Sequence, residues 1–263
     1  MNTKDTNDDR LWATIIDEIS CKSLKEPILA SFFHATILNH STIEAALSYH
    51  LAGKLGNSNV PEMLIREIME DAYQDDKGIM ESTRADIRAV HDRDPVCDSY
   101  ATPFLYFKGF HALQAYRVAN WLWKQGREEM ALYLQNEISV VFSVDIHPAA
   151  SIGKGIMIDH ATGLVVGETC VIEDNVSLMQ SVTLGGTGKD TGDRHPKVRQ
   201  GVLISAGAKI LGNVEVGECA KVGGGSVVLD NVPAHTTVAG VPAKVVGKLM
   251  SEQPALDMCQ NIK

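Results

Sequence analysis

The second half of the chain repeats every six residues. Aliphatic side chains recur at Ile146, Ile152, Ile158 and Leu164, then at Val176 and Val182, with Cys170 in the one remaining slot. The beat resumes at Ile204, Ile210, Val216, Val222 and Val228. Four positions after each later beat stands a second small or branched residue, Ala208, Val214, Ala220, Ser226 and Val232, and Val238 continues that series six further on. No amphipathic helix has a period of six, and ordinary alternating strands do not set a glycine beside so many apolar positions (Gly153, Gly217, Gly223). A hexapeptide period predicts a parallel β-helix of short flat strands, with each beat residue pointing into a prism. The packed interior of such a prism cannot hold a ligand. Chemistry therefore belongs on its outside, at loops or between subunits.

The first half has helical periods instead. Ser41-Thr42-Ile43-Glu44 fits a capping box, opening a helix through Ala45, Leu47 and Leu51 that stops near Gly56. Pro61 suits the first turn of the next helix, with Met63, Ile65, Ile68 and Met69 as its apolar stripe. A further segment runs from Phe107 to Leu122 with Gly126 as its stop, and the last runs from Glu128 to about Phe142. The expected fold is thus α+β. An N-terminal all-α helical domain, 1–142, precedes a left-handed parallel β-helix of hexapeptide repeats, 143–250, with an extruded loop, and 251–263 form a flexible C-terminal tail.

Composition excludes several classes. Acidic residues outnumber basic ones 33 to 24 with no lysine- or arginine-rich run, which argues against nucleic acid as a partner. The polar, acidic start MNTKDTNDDR is neither a secretory signal nor a transit peptide, and no apolar run approaches the ~20 residues that span a bilayer. Five scattered cysteines without a CxxC pair read as reduced thiols, so the expected location is cytoplasmic.

The repeat reads with one interruption. Val182 to Ile204 is 22 residues, not a multiple of six, and the segment between them is glycine-rich from Gly185 to Lys189 and then charged through Arg199. It must leave the prism as a loop, and long loops in strict repeats are usually functional. Gly188-Lys189-Asp190 fails the GxxxxGK[ST] pattern, so nucleotide hydrolysis is rejected. His147, before Pro148, reads as a turn residue. His160, beside Asp159 at a beat where small or apolar groups are the rule, reads as functional. In the loop, Arg194 next to His195 offers a planar bidentate partner for a carboxylate. His147, His160 and His195 lack the spacing of a zinc site, and no metal is expected.

Together these residues resemble the serine O-acetyltransferases. The stretch TPFLYFKGFHALQAYRVANWLW, the strand entry VDIHPAASIGKGIMIDHATG and the loop QSVTLGGTGKDTGDRHPKVR carry the resemblance. The closing VPAHTTVAGVPAKVVGK marks only the wider hexapeptide acyltransferases. The resemblance implies transfer of acetyl from acetyl-CoA to the hydroxyl of L-serine, by direct attack in a ternary complex, in cysteine biosynthesis. His160 is then the general base, because an unassisted alcohol is a poor nucleophile near neutral pH. Asp145 is implied to orient its imidazole. Asp94 and Asp159 would hold the ammonium group of serine, Arg194 and His195 its carboxylate. Gly186, Thr187, Ala206 and Gly224 would meet the pantetheine arm. The resemblance further implies a helical half that joins trimeric prisms into a dimer of trimers, and feedback inhibition by L-cysteine. A C-terminal isoleucine docks the family into O-acetylserine sulfhydrylase; here Lys263 follows Ile262, so either the tail is truncated or the contact is changed, and the sulfhydrylase stays a candidate partner in doubt. Two rivals remain: transfer to another acceptor such as a sugar, against which the Asp94–Arg194 zwitterion clamp argues, and a catalytically silent scaffold.

Overall fold

The computed structural model describes residues 5–189, 191–248 and 253–262. Its first part is helical: α1 (Asp5–Lys25), α2 (Ala30–Phe33), α3 (Ile43–Leu55), α4 (Glu62–Asp75), α5 (Lys77–Arg93), α6 (Ala101–Tyr106), α7 (Lys108–Lys124) and α8 (Glu128–Phe142). α7 lies at the centre, with Phe110, Leu113, Tyr116, Val118 and Leu122 all buried. Gly126 follows it at φ 72°, the left-handed conformation that a stop glycine supplies. α3 is capped one residue later than the capping box suggests. The Thr42 hydroxyl accepts from the Ala45 N–H at 3.2 Å, while Glu44 turns to Arg84 at 2.7 Å. Among the described residues no helix is long and apolar enough to cross a membrane.

The second part is a solenoid with three parallel faces. The first sheet stacks β1 (Val144–Ile146), β4 (Leu164–Val166), β7 (Thr183–Gly185), β10 (Lys209–Leu211) and β13 (Val227–Val228). The second stacks β2 (Ser151–Ile152), β5 (Val171–Ile172), β8 (Lys197–Val198) and β11 (Glu215–Val216). The third stacks β3 (Met157–Ile158), β6 (Ser177–Leu178), β9 (Leu203–Ile204) and β12 (Lys221–Val222), and is closed by the antiparallel pair β14 (Thr236–Gly240) and β15 (Ala243–Lys248). This end pair covers edges that would otherwise invite another strand.

The registers correct the reading of a single interruption. Ile146 lies on Val166, 20 residues later, whereas Val166 lies on Leu184, 18 later. Leu184 lies on Ile210, 26 later. The repeat therefore gains two residues after Ile158 and eight in the loop after Gly185, and it loses two after Val228, where Val216 lies on Val232 and Val222 on Val238, each 16 later. The first slip hides in the sequence because both inward slots of each hexapeptide are apolar. Leu164, Cys170, Val176 and Val182 are fully buried, but in the second slot, beside Val166, Ile172, Leu178 and Leu184.

Two polar clamps fasten the helices to the coils. The fully buried Asp86 of α5 pairs with Arg117 of α7 at 2.7 Å and accepts from the Ile156 N–H at 2.9 Å, while Arg117 also donates to the Gly153 carbonyl at 2.8 Å. Arg93, the last residue of α5, donates to the Ser177 hydroxyl at 3.1 Å. Residues 253–262 of the segment expected to be a flexible tail lie along the third sheet. They contain α9 (Pro254–Asp257), whose Ala255 carbonyl accepts from the Ser177 hydroxyl at 2.9 Å, and Lys221 donates to the Cys259 carbonyl at 3.2 Å. Lys263, on which the sulfhydrylase expectation turns, lies outside the described residues, as do 249–252.

Candidate active site

The two insertions stand on different edges of the prism. The two-residue insertion makes a bulge between the third and first sheets, spanning Asp159 to Gly163. His160 and Ala161 both adopt left-handed backbone, at φ 54° and 61°. Side chains rarely tolerate that region, at roughly 1–2 kcal/mol each. Local bonds hold it: the Thr162 N–H donates to the His160 carbonyl at 2.7 Å, and the Gly163 N–H to the Ser143 carbonyl at 2.8 Å. With Ala161 fully buried as the anchor, the His160 side chain is pushed outward and is 70% exposed.

Beside this bulge opens a cavity of about 370 Å3 where α5, the start of α7 and β3 converge. Asp94, Asp159, His160 and Lys108 line it together with Val90, Phe107 and Met157. His160 Nε2 stands 3.7 Å from Asp159 Oδ2. Burial raises the Asp159 pKa, His160 opposes that, and the nearby Asp94 carboxylate raises it further. Two carboxylates and an imidazole around one cavity suit a ligand with an ammonium group and a proton to lose.

The eight-residue slip makes the loop edge, between the first and second sheets. Thr169 organises it: its hydroxyl oxygen accepts from the Arg194 and His195 N–H groups at 3.0 and 3.1 Å, and its own N–H donates to His195 Nδ1 at 3.2 Å. With Nδ1 an acceptor, the neutral ring carries its proton on Nε2. Burial, and then Arg194, lower the His195 pKa, which keeps the ring a neutral donor. It lies against Gly167, where a Cβ would come within 2.1 Å of His195 Cδ2. Arg194 pairs with Glu168 at 2.6 Å, and that hydrogen bond holds the Glu168 carboxyl below its usual range.

Asp145 belongs to the loop side. The resemblance has it orienting His160, yet within one chain it accepts from Gln135 Nε2 at 2.7 Å, and the carboxylate beside His160 is that of Asp159. Its charge is felt at His147 together with those of Glu168 and Arg194, which groups them. His147 is a turn residue, its Nδ1 accepting from the Ala149 N–H at 3.1 Å. Gly186 also lies here, where a Cβ would stand 3.6 Å from His195 Nε2, and Thr187 packs against Gly212. Ala206 and Gly224 instead stack on the bulge edge, coils above His160, with the Gly225 N–H donating to the Ala206 carbonyl at 2.8 Å. The predicted residues thus form two sets: Asp94, Asp159, His160, Ala206 and Gly224 at the bulge, and Asp145, Gly186, Thr187, Arg194 and His195 at the loop. Sequence reasoning missed Thr169, Glu168, Gln135 and Lys108, which act through contacts between distant segments. Among the described residues no group of three or more His, Cys, Asp or Glu could hold a metal ion.

Comparison with known proteins bears on the family and the fold. The family model described as "Serine acetyltransferase, N-terminal" matches residues 11–115. A serine acetyltransferase of Salmonella typhimurium is 60% identical over 251 residues, covering 95% of this chain and 92% of the relative. A serine acetyltransferase in complex with cysteine superposes with a TM-score of 0.95 at 57% identity, over 97% of this chain and 99% of that one. The Brucella abortus enzyme in complex with coenzyme A gives 0.92 at 50%, over 94% and 99%. The soybean enzyme complexed with serine gives 0.89 at 52%, over 91% and 98%.

Proposed function

The chain belongs to the serine acetyltransferase family, and on that premise we propose that it acetylates the L-serine hydroxyl from acetyl-CoA at a site assembled from half-sites of two neighbouring copies. One copy supplies Asp94, Asp159 and His160. Its neighbour in a trimer supplies Asp145, Arg194 and His195, and two trimers join through their helical halves.

The serine ammonium group sits between Asp94 and Asp159. Its carboxylate takes the guanidinium of Arg194 and the Nε2–H of neutral His195, a cation and a donor already set by Glu168 and Thr169. His160 removes the hydroxyl proton as the oxygen attacks the thioester carbonyl. The C–S bond then breaks, and the imidazolium returns its proton to the departing thiolate, leaving O-acetylserine and CoA. Asp145 of the neighbouring copy stabilises the imidazolium. The pantetheine arm follows Ala206 and Gly224 on the bulge edge, facing Gly186 and Thr187 of the neighbour. L-cysteine, with a thiol in place of the hydroxyl, fits the same contacts and acts as inhibitor, in keeping with the relative solved with cysteine.

The observation that carries this reading is the cavity where two carboxylates meet an outward-facing imidazole. Thiol release from acetyl-CoA, measured across serine, threonine, homoserine and a sugar, should be fastest with serine. His160→Ala should lower it by about 10²–10⁴-fold with the assembly intact. A normal rate in that variant contradicts the assigned base, and no release by the unaltered protein favours a silent scaffold.

A further inference from the structure

The cavity contains one charged group that the proposed chemistry leaves unused. Lys108 is the first residue of α7, and its ammonium donates a hydrogen bond to the Thr162 hydroxyl, two residues beyond His160. A lysine in that position works against its own helix. The N-terminus of a helix carries partial positive charge, and α7 has neither a side-chain cap nor an acidic residue in its first turn.

The next residue, Gly109, meets the same bulge from its other side. A Cβ there would lie 2.1 Å from the Ile158 carbonyl oxygen and 3.2 Å from Ala161 Cβ, so only glycine allows this approach. The start of α7 therefore grips the chain before and after His160. The gripped segment is the one with two consecutive left-handed residues, a conformation that persists only where its surroundings over-determine it. Thr162 passes the grip on: its hydroxyl accepts from Lys108 and lies 3.4 Å from the His160 carbonyl, to which it donates.

We infer that Lys108 is a positioning residue for His160. By holding the Thr162 hydroxyl it fixes the bulge, and so keeps the imidazole facing the cavity. The helical half then positions the base, besides supplying Asp94 and joining subunits. The inference rests on His160 being the base, and it separates Lys108 from a direct role in holding the acceptor carboxylate.

The test compares Lys108→Met, Lys108→Arg, Thr162→Val and the Met/Val double variant in the full-length assembled enzyme, with thermal melting of each. Loss of the grip should lower kcat on the order of ten- to a hundredfold, as for a reacting group displaced by about an ångström, with KM for serine and acetyl-CoA nearly unchanged. Lys108→Arg should restore most of kcat, and the double variant should be no worse than either single one. Thr162→Val, nearly isosteric, carries the test if Lys108→Met fails to assemble. An unchanged kcat, an effect confined to the KM of serine, or losses that multiply in the double variant would each overturn the inference. His160→Ala keeps the two claims apart: if it is inactive while Lys108→Met is fully active, only the positioning role fails, and if it is active, the base assignment fails.

Discussion

Asp159 is held by opposed influences. Burial raises its pKa, the adjacent His160 lowers it, and Asp94 across the cavity raises it again. An ammonium ligand needs both carboxylates ionised. Serine binding should therefore be complete above the raised Asp159 pKa and be lost as pH falls through it. Replacing Asp94 with Asn removes one like charge, so the Asp159 pKa falls. In that variant the acid limb of serine binding, measured by calorimetry in the His160→Ala background so that the base does not titrate, should move to lower pH, while binding near neutrality weakens because one ammonium contact is gone. An acid limb that stays in place would show that the two carboxylates do not share the ligand. His195 obeys the opposite rule, since burial and Arg194 favour its neutral form. In the proposed site it would therefore act as an N–H donor rather than as a second cation.

Elements matter here through how closely they approach one another. Gly167, at the start of a coil corner, leaves the space that the His195 ring occupies. Its backbone is not left-handed, so alanine is conformationally acceptable and the effect of Gly167→Ala is purely steric. That variant should displace His195 and lower kcat/KM for serine by about tenfold or more, in line with ~1–3 kcal/mol for a lost buried hydrogen bond, while its melting curve changes little. An unaltered kcat/KM would remove His195 from the acceptor site. The elements themselves were largely legible. α8 runs from Glu128 to Phe142 as its pattern predicts, and Gly126 stands where the preceding helix had to end. The bulge at Asp159–Gly163 was not legible as a bulge, because a two-residue slip moved one apolar slot onto another and the six-residue beat ran on undisturbed. The Thr169 bonds to His195 had no sequence signal either, since they join residues 26 apart through a corner of the prism.

At the scale of the whole molecule, two insertions in a regular solid place the proposed site residues. The prism spaces its coils evenly, and each insertion throws polar residues out at one edge: Asp159 and His160 at the first, Arg194 and His195 at the second. The types of residue needed for serine were readable in the chain, but their division between two edges was not, because it depends on where each coil turns. Asp145 shows the consequence: it lies with the loop set and bonds Gln135, so an orienting contact to His160 calls for a second copy. Co-producing the His160→Ala and Arg194→Ala variants tests this most directly. Each variant alone should be inactive. In mixed trimers about a quarter of the interfaces pair an intact His160 with an intact Arg194, so roughly a quarter of the unaltered activity should return. If mixed assemblies form and no activity returns, both half-sites lie within one chain and the account is contradicted.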